Sequence, residues 1–265
     1  MKNTLKNKLR NLKSVIPTPL WSFAKKCLYT LRPRTEKASG HYSILKNPNL
    51  AELKRKYEDI WKDSSIPAQQ LKVNARSPKS APVYEAAVKL IRATHLTKPT
   101  ILEIGCSTGY YADVFKDAGL EVSYEGCDYS EAFVAKAKEL HPGISFRTED
   151  ATKLGYPDTS FDIAISGCCI LHIIDYEKAI AETARVATQY ALFHRTPVVR
   201  STSTTYAEKI GYGLPMFEIF FNESELFDLF KKYGLDVAAS ETISSMNVPG
   251  LGEPVLITSY LCKKS

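Results

Sequence analysis

The chain has 265 residues, of which 44% are hydrophobic and 24% charged, which is ordinary for a soluble globular protein. Its sequence contains no run of the roughly 18–20 apolar residues that a membrane-spanning helix needs, which argues against an integral membrane protein. The six cysteines include no C-x-x-C pair, and the chain is longer than a typical secreted disulfide scaffold. We therefore expect a reducing, cytoplasmic compartment, and we identify no metal site.

The net charge of +6 is concentrated at the N-terminus. Residues 1–35 hold nine Lys or Arg and no acid, which leaves 26 basic against 29 acidic residues, a charge of −3, in the remainder. On either side of Pro17 and Pro19, apolar residues recur every three to four positions, a pattern typical of basic amphipathic helices on anionic membranes. We expect residues 1–40 to form a helical arm and linker, which either makes peripheral membrane contact, packs on the body or a partner, or is disordered.

The following segment, residues 41–98, contains two stretches of helical periodicity, 49–63 and 81–94. We expect these helices, with Trp61 and Tyr84, to cap a site. After them, strands and helices alternate. The predicted strands are 100–104, 121–127, 144–147, 161–166 and 190–194, and the predicted helices between them are 110–118, 131–140 and 176–187. Such alternation predicts a parallel sheet with helices on both faces.

The end of the chain departs from this alternation. A helix over 223–233, capped by Asn222, precedes two β-type runs, 235–243 and 255–262, separated by a short loop. A hairpin connection makes the last strand antiparallel to its neighbour. The pattern therefore predicts an α/β domain over residues 99–265, with a seven-stranded mixed sheet whose last strand is antiparallel.

A turn of small residues follows the first strand of this sheet. Gly105 and Gly109 lack a Cβ, so a ligand could approach the backbone closely, and the helix that follows offers free amide donors. The dinucleotide fingerprint requires glycine where Ser107 and Tyr110 stand, which disfavours pyrophosphate binding. Glu103, two residues before the first glycine, points instead to a cationic ligand group.

Two further acids follow the next two strands. Asp128 ends the second strand, where a carboxylate can accept both hydroxyls of a ribose, and Asp150 follows the third, where it could accept from an adenine amine. Together with Glu103 they predict one ligand made of an amino acid, a ribose and an adenine. The alternative is that Glu103 is an ordinary strand-end acid and Asp128 a helix cap.

These residues resemble the class I S-adenosylmethionine-dependent methyltransferase family, in particular its small-molecule branch. The likeness rests on Glu103-Ile-Gly105-x-x-x-Gly109, Asp128, Asp150-Ala151 and residues 160–166, and Ser107 replaces the family's usual middle glycine. It implies a Rossmann-like fold and S-adenosyl-L-methionine as the cofactor. The cofactor-binding residues implied are Glu103, Gly105, Cys106, Ser107, Gly109, Asp128, Tyr129, Asp150, Ala151 and Ser166.

The methyl acceptor is expected beyond the fourth and fifth strands, at residues 166–172 and 194–196. His172 and His194 are the candidate catalytic bases, because a neutral imidazole can take a proton from a hydroxyl or an amine. The alternatives are that His172 only orients the cofactor or its loop and that His194 is a buried, hydrogen-bonded residue. Residues 195–221, an insertion before the last helix, are expected to form a lid or acceptor pocket.

The predicted function is methyl transfer to an oxygen or nitrogen of a small molecule or glycan. The segments Phe193-His-Arg-Thr-Pro197 and Phe217-Glu-Ile-Phe-Phe-Asn222 are similar to segments of uncharacterised bacterial methyltransferases, some of which are linked to surface-polysaccharide or natural-product pathways. One alternative is an RNA methyltransferase whose arm neutralises phosphates. Against it, the body is not basic, and Ser166-Gly-Cys-Cys replaces the Asn/Asp-Pro-Pro-Tyr signature of nucleobase amino-group enzymes. The other alternative is a non-catalytic module that binds a partner or membrane through the arm.

Overall fold

The computed structural model describes residues 42–265. The helical arm and linker predicted over residues 1–40 lie outside the described residues, so the expectation of membrane contact stays a prediction. No helix within the described part of the chain is both long and apolar enough to cross a bilayer.

The segment before the main sheet is mostly helical. Its elements are β1 (Ser43–Leu45), α1 (Leu50–Tyr57), a 3₁₀ turn (Ile60–Lys62), α2 (Ile66–Arg76) and α3 (Pro82–Arg92). The side chain of Asn49 caps α1 by accepting hydrogen bonds from the amides of Ala51 and Glu52. The sequence did not predict α2, because only Ile66, Pro67 and Asn74 of this helix are buried and the apolar stripe is too short to recognise.

The strands and helices of the main domain follow closely the predicted alternation. They are β2 (Thr100–Ile104), α4 (Tyr110–Asp117), β3 (Ser123–Asp128), α5 (Glu131–Leu140), β4 (Ser145–Thr148), β5 (Phe161–Gly167), a 3₁₀ turn (Ile170–His172), α6 (Tyr176–Val186), β6 (Ala187–Val199), β7 (Thr205–Gly211), β8 (Leu214–Asn222), α7 (Glu223–Lys232), β9 (Leu235–Asn247) and β10 (Pro254–Lys264). Asn222 caps α7 as predicted, accepting from the amides of Ser224 and Glu225.

Seven of the strands form the predicted mixed sheet, in the order β4-β3-β2-β5-β6-β10-β9. Strands β2 to β6 pair in parallel, and β10 pairs antiparallel with both β6 and β9. This confirms the predicted fold class. The described sheet has ten strands rather than seven, because β1, β7 and β8 extend it beyond the prediction.

The three additional strands join the sheet at the part of β6 that extends beyond the end of β5. The pairing of β5 with β6 ends at Gly167 and His194, and further along β6 the residues Val198 and Val199 pair with β8. Strands β7 and β8 form an antiparallel hairpin, and β1 pairs with β7. The predicted insertion is therefore the end of β6 followed by a hairpin.

Hydrophobic clusters cover both faces of the sheet. Successive strand residues point to opposite faces, so Ile101 packs in one cluster and Leu102 in the other. Helices α3 and α4 complete the first cluster, and helices α6 and α7 complete the second. The parallel strands therefore have helices on both faces, and their carboxyl ends meet at one edge.

Candidate active site

The carboxyl ends of the parallel strands open into one cavity of about 1010 Å³. Its lining includes ten of the twelve residues predicted for the site: Glu103, Gly105, Cys106, Ser107, Asp128, Tyr129, Asp150, Ala151, His172 and His194. Gly109 and Ser166 are not part of the lining. The three acids that the sequence placed on separate strand ends thus lie around a single space.

The turn after β2 has the strained backbone of a tight strand-to-helix connection. Gly105, Ser107 and Gly109 have φ angles of +76°, +54° and +75°. A Cβ at Gly105 would lie 2.8 Å from Cβ of Cys169, and one at Gly109 would lie 2.7 Å from Cζ of Phe146. Protein side chains therefore fill the space at these glycines, whereas the sequence analysis expected a ligand to use it.

Glu103 is a buried acid with one hydroxyl partner. It is 2% exposed, and its Oε2 accepts a short hydrogen bond from the hydroxyl of Tyr124. Burial raises the pKa of Glu103 to about 8, with a further rise from the charge of Asp128, although the Tyr124 hydrogen bond acts in the opposite direction. A cationic group in the cavity would favour the ionised form, so the site is suited to an ammonium ligand.

Asp128 uses both carboxylate oxygens to hold the neighbouring backbone. Its Oδ2 accepts from the amide of Ser107 at 2.8 Å, and its Oδ1 accepts from the amide of Ser130 at 2.9 Å. Burial raises the pKa of Asp128 to about 6, against the effect of these backbone hydrogen bonds. Each oxygen has a second lone pair, so the carboxylate can still accept two hydroxyl donors. The Ser130 side chain itself caps α5 through the amide of Phe133, so the capping alternative does not account for Asp128.

The remaining cofactor-side residues fit a nucleoside. Asp150 is exposed, and its Oδ1 accepts from both the amide and the hydroxyl of Thr152 at 2.8 Å. The buried hydroxyl of Ser107 has no hydrogen-bond partner among residues 42–265. An unpartnered buried hydroxyl next to the Asp128 carboxylate is the kind of group that a polar ligand satisfies.

His172 presents one ring nitrogen to the cavity. Its Nδ1 lies 2.9 Å from the backbone oxygen of Phe217, and a carbonyl only accepts, so Nδ1 carries the proton. Burial lowers the pKa of His172 to about 4, and the nearby Glu218 opposes this shift. Above that pH the ring is neutral, with an unprotonated Nε2.

His194 is held from both sides. Its Nε2 is hydrogen-bonded to the hydroxyl of Tyr111 at 2.5 Å, and its Nδ1 to the hydroxyl of Ser259 at 2.8 Å. The residue is 1% exposed, and burial lowers its pKa to about 3. Neither nitrogen is available to a substrate, in agreement with the alternative of a buried, hydrogen-bonded histidine.

The hairpin supplies an acid that sequence reasoning missed. Glu218 on β8 is 6% exposed, accepts from the hydroxyl of Tyr42 at 2.7 Å and forms an ion pair with Lys209 of β7. The available signal was a single acid within the apolar run 216–221. In a strand that faces a core, such an acid indicates a polar cluster or a site.

Aromatic side chains from three segments of the chain line another part of the cavity. The ring of Trp61 lies 4.7 Å from that of His172 and 6.1 Å from that of Tyr212, measured between centroids. The Tyr212 hydroxyl donates to Gln70 of α2, which connects the hairpin to the N-terminal helices. The sequence analysis named Trp61 and His172 and included Tyr212 in the predicted lid or acceptor pocket over residues 195–221, but it did not name Gln70.

Comparison with known proteins agrees with this geometry. Residues 102–193 match a family described as "Methyltransferase domain". A probable S-adenosylmethionine-dependent methyltransferase of Mycolicibacterium smegmatis is 29% identical over 156 residues, which cover 58% of this chain and 57% of that protein. Norajmaline N-methyltransferase of Rauvolfia serpentina is 37% identical over 93 residues, 33% of this chain and 32% of that protein. The chain therefore spans about half or less of the length of these relatives.

The fold is also found in a solved structure. The 1,6-didemethyltoxoflavin-N1-methyltransferase of Burkholderia thailandensis superposes with a TM-score of 0.56, covering 88% of this chain and 99% of that one, at 14% identity. That structure contains 1,6-didemethyltoxoflavin and S-adenosylhomocysteine. Residues 102–193 therefore match the methyltransferase-domain family, and the sheet order and the strand-end acids agree with the resemblance of this chain to class I S-adenosylmethionine-dependent methyltransferases.

Proposed function

We propose that the protein transfers a methyl group from S-adenosyl-L-methionine to an oxygen or nitrogen of a small molecule or glycan. The observation that carries this proposal is the convergence of Glu103, Asp128, Asp150 and His172 on one cavity. The cavity volume of about 1010 Å³ is at the upper end of the range for small-molecule sites and leaves room for an acceptor beside a cofactor.

The cofactor side of the cavity would hold the nucleoside and the amino acid separately. Asp128 would accept the ribose hydroxyls, Asp150 the adenine amine, and Glu103 the ammonium group. The relevant oxygens of Asp128 and Glu103 are fixed by hydrogen bonds from Ser107, Ser130 and Tyr124. The bound cofactor supplies an electrophilic methyl group on a sulfonium.

His172 is the proposed base. Its Nδ1 proton is held by the Phe217 carbonyl, so Nε2 can accept the proton that an acceptor hydroxyl or amine loses. His194 has no free nitrogen, and we propose that it positions Tyr111 and Ser259 instead. Alignment of the acceptor by the surrounding walls would contribute more to the rate than the base, since methyl transfer depends on in-line geometry.

The other two hypotheses have less support. The chain outside residues 1–35 carries a charge of −3, which is unfavourable for an RNA-binding surface. A non-catalytic module would not need an unprotonated imidazole in the same cavity as the three acids. The small-molecule relatives, a norajmaline N-methyltransferase and a didemethyltoxoflavin N1-methyltransferase, also support the proposal.

Calorimetric titration of the full chain with S-adenosylhomocysteine tests the cofactor assignment. We expect one site with a dissociation constant between about 1 μM and 1 mM. Incubation with S-adenosyl-L-methionine and a panel of hydroxyl- and amine-bearing small molecules, with S-adenosylhomocysteine detected by mass spectrometry, tests the activity. Failure to bind S-adenosylhomocysteine would overturn the proposal.

A further inference from the structure

Arg195 lies at the point where β6 leaves β5. The last pair between these strands joins Gly167 to His194, so Arg195 is the first residue of β6 beyond its parallel neighbour. The carboxyl ends of β2 to β5 border the cavity, and Arg195 lines it from β6, within the residues 194–196 where the sequence analysis expects the acceptor. Its place in the fold is therefore next to the position of a bound acceptor.

A bulge in the sheet directs this side chain. Phe193 pairs with Tyr260 and Thr196 with Thr258, so His194 and Arg195 together oppose the single residue Ser259. Arg195 has a φ of +60°, which is uncommon for a residue with a side chain. The Ser259 hydroxyl accepts from the Arg195 amide at 3.2 Å and stabilises this backbone. Bulges next to active sites re-aim side chains, and strain of this kind is maintained where the side chain has a use.

The guanidinium is exposed to the cavity but has no anionic partner. It lies close enough to interact electrostatically with Tyr111, Tyr212, Tyr84 and Cys168, all of which line the same cavity. No ion pair or side-chain hydrogen bond links Arg195 to another residue in the range 42–265. Lys209, a second cation of this wall, is already paired with Glu218. Arg195 is exposed within the cavity rather than enclosed by protein, so an anionic ligand can pair with it at a small desolvation cost and would bind favourably.

Aromatic side chains line the same cavity as Arg195. Tyr84 and Tyr111 contact each other edge to face with ring centroids 5.5 Å apart, and Trp61 and Tyr212 form a similar pair at 6.1 Å. Aromatic walls favour a planar ring, and an arginine fork favours a planar anion that it can bind through two hydrogen bonds.

We infer that the acceptor is a planar aromatic acid, whose carboxylate or other anionic oxygen group is bound by Arg195. This inference rests on the proposed function, since it identifies the substrate class for the same cavity. The anion would fix one end of the ring at Arg195 and direct a hydroxyl or amine elsewhere on the ring toward His172. Arg195 would thus determine which acceptors bind and how they are oriented.

The test compares probes that share a ring and differ in charge. The probes are 4-hydroxybenzoate, its neutral amide 4-hydroxybenzamide, and 4-hydroxyphenyl phosphate, each titrated with and without S-adenosylhomocysteine. Binding is followed by fluorescence of Trp61 in a Trp21→Phe background, since these are the two tryptophans of the chain. The carboxylate or the phosphate should bind at least about tenfold more tightly than the amide, and the preferred one of the two identifies the anionic group.

The variants distinguish an effect of the Arg195 charge on probe binding from an effect of the substitution on folding. Arg195→Gly removes the guanidinium and also relieves the positive φ, so it should fold and lose the preference for the anionic probes. Arg195→Lys should retain part of the preference. Arg200→Gln, the control, removes an arginine whose Nε is 2.9 Å from Glu223 on the surface and should bind the probes as the wild type does.

Four results would overturn the inference. The first three are equal binding of the amide and the anions by the wild type, an anion preference that survives in Arg195→Gly, and no measurable binding of any probe. A parallel loss of S-adenosylhomocysteine affinity in Arg195→Gly would also overturn it, because Arg195 would then bind the cofactor's carboxylate. If the wild type binds no S-adenosylhomocysteine, the proposed function fails, and titrations of the probes alone still decide whether Arg195 forms an anion site.

Discussion

Nε2 of His172 lies 4.0 Å from Oε1 of Glu218, and both side chains line the cavity, with 12% and 7% of their surfaces exposed. The two are held independently, His172 through the Phe217 carbonyl and Glu218 through Tyr42 and Lys209. The glutamate is therefore placed to stabilise a proton that arrives on Nε2 without itself holding the ring in position. This arrangement makes His172 the first residue to test.

His172→Asn distinguishes the roles of the two imidazole nitrogens, because it replaces one of them and removes the other. The asparagine amide can still donate to the Phe217 carbonyl, but it has no counterpart of Nε2. We expect kcat for an identified acceptor to fall by about 10²- to 10⁴-fold, with little change in S-adenosylhomocysteine affinity. His141→Asn is the control, because His141 does not line this cavity. Unchanged turnover in His172→Asn would exclude its role as base.

Asp128→Ala should weaken S-adenosylhomocysteine binding by about 1–3 kcal/mol, the cost of losing a charged hydrogen-bond acceptor. Calorimetry measures this change, and Asp113→Asn, an exposed acid of α4 outside the cavity lining, serves as the control. Because burial raises the pKa of Asp128 to about 6, wild-type affinity should also rise as the pH increases through that value. Equal S-adenosylhomocysteine affinities in the wild type and in Asp128→Ala would contradict the assignment of Asp128 to the ribose.

The ligand-free protein should lose stability between about pH 4.5 and 8 because of Glu103. Burial raises the pKa of this acid from 4.5 to about 8, so in that window the folded state binds a proton that the unfolded state has released. The free energy of unfolding therefore decreases as the pH rises, and the contribution is lost once the pH exceeds the folded-state pKa. Thermal unfolding of Glu103→Gln should show a weaker decrease than the wild type, and parallel pH profiles would contradict the assignment.

Gly167→Ala should disturb the same acid without changing any charge. An added Cβ would lie 2.6 Å from Oε1 of Glu103, so the buried carboxylate would have to move. We expect the free energy of unfolding to fall by about 1–3 kcal/mol, the usual cost of overpacking, and S-adenosylhomocysteine binding to weaken because the carboxylate is displaced. Gly155→Ala is the matched control, since its Cβ would be 3.0 Å from Oε1 of Glu149, which is less buried and can move aside. Similar affinities in both variants would mean that the position of Glu103 does not matter for binding.

The alternating part of the fold was predictable because its pattern is local and strongly periodic. Strand β2 was predicted with its observed bounds, and the three strand-end acids were found at the same edge of the sheet. The hairpin was harder to recognise, because the pairing partners of its strands in β1 and β6 lie far apart in the chain, and its residues were interpreted as a lid or acceptor pocket. The bulge at Arg195 depends on the register of β6 against β10, which periodicity does not reveal. The proposed roles of the individual site residues stay predictions.

The length of β6 has an architectural consequence. This strand has 13 residues, and it pairs with β5 up to His194 and with β8 from Val198. At about 3.3 Å per residue, those four positions separate the two pairing zones by roughly 13 Å. The length of β6 therefore sets the distance between two parts of the molecule. One part would recognise the methyl donor, and the other would select its recipient. Lengthening or shortening β6 by two residues would move one part relative to the other by about 7 Å while keeping each side chain on its own face.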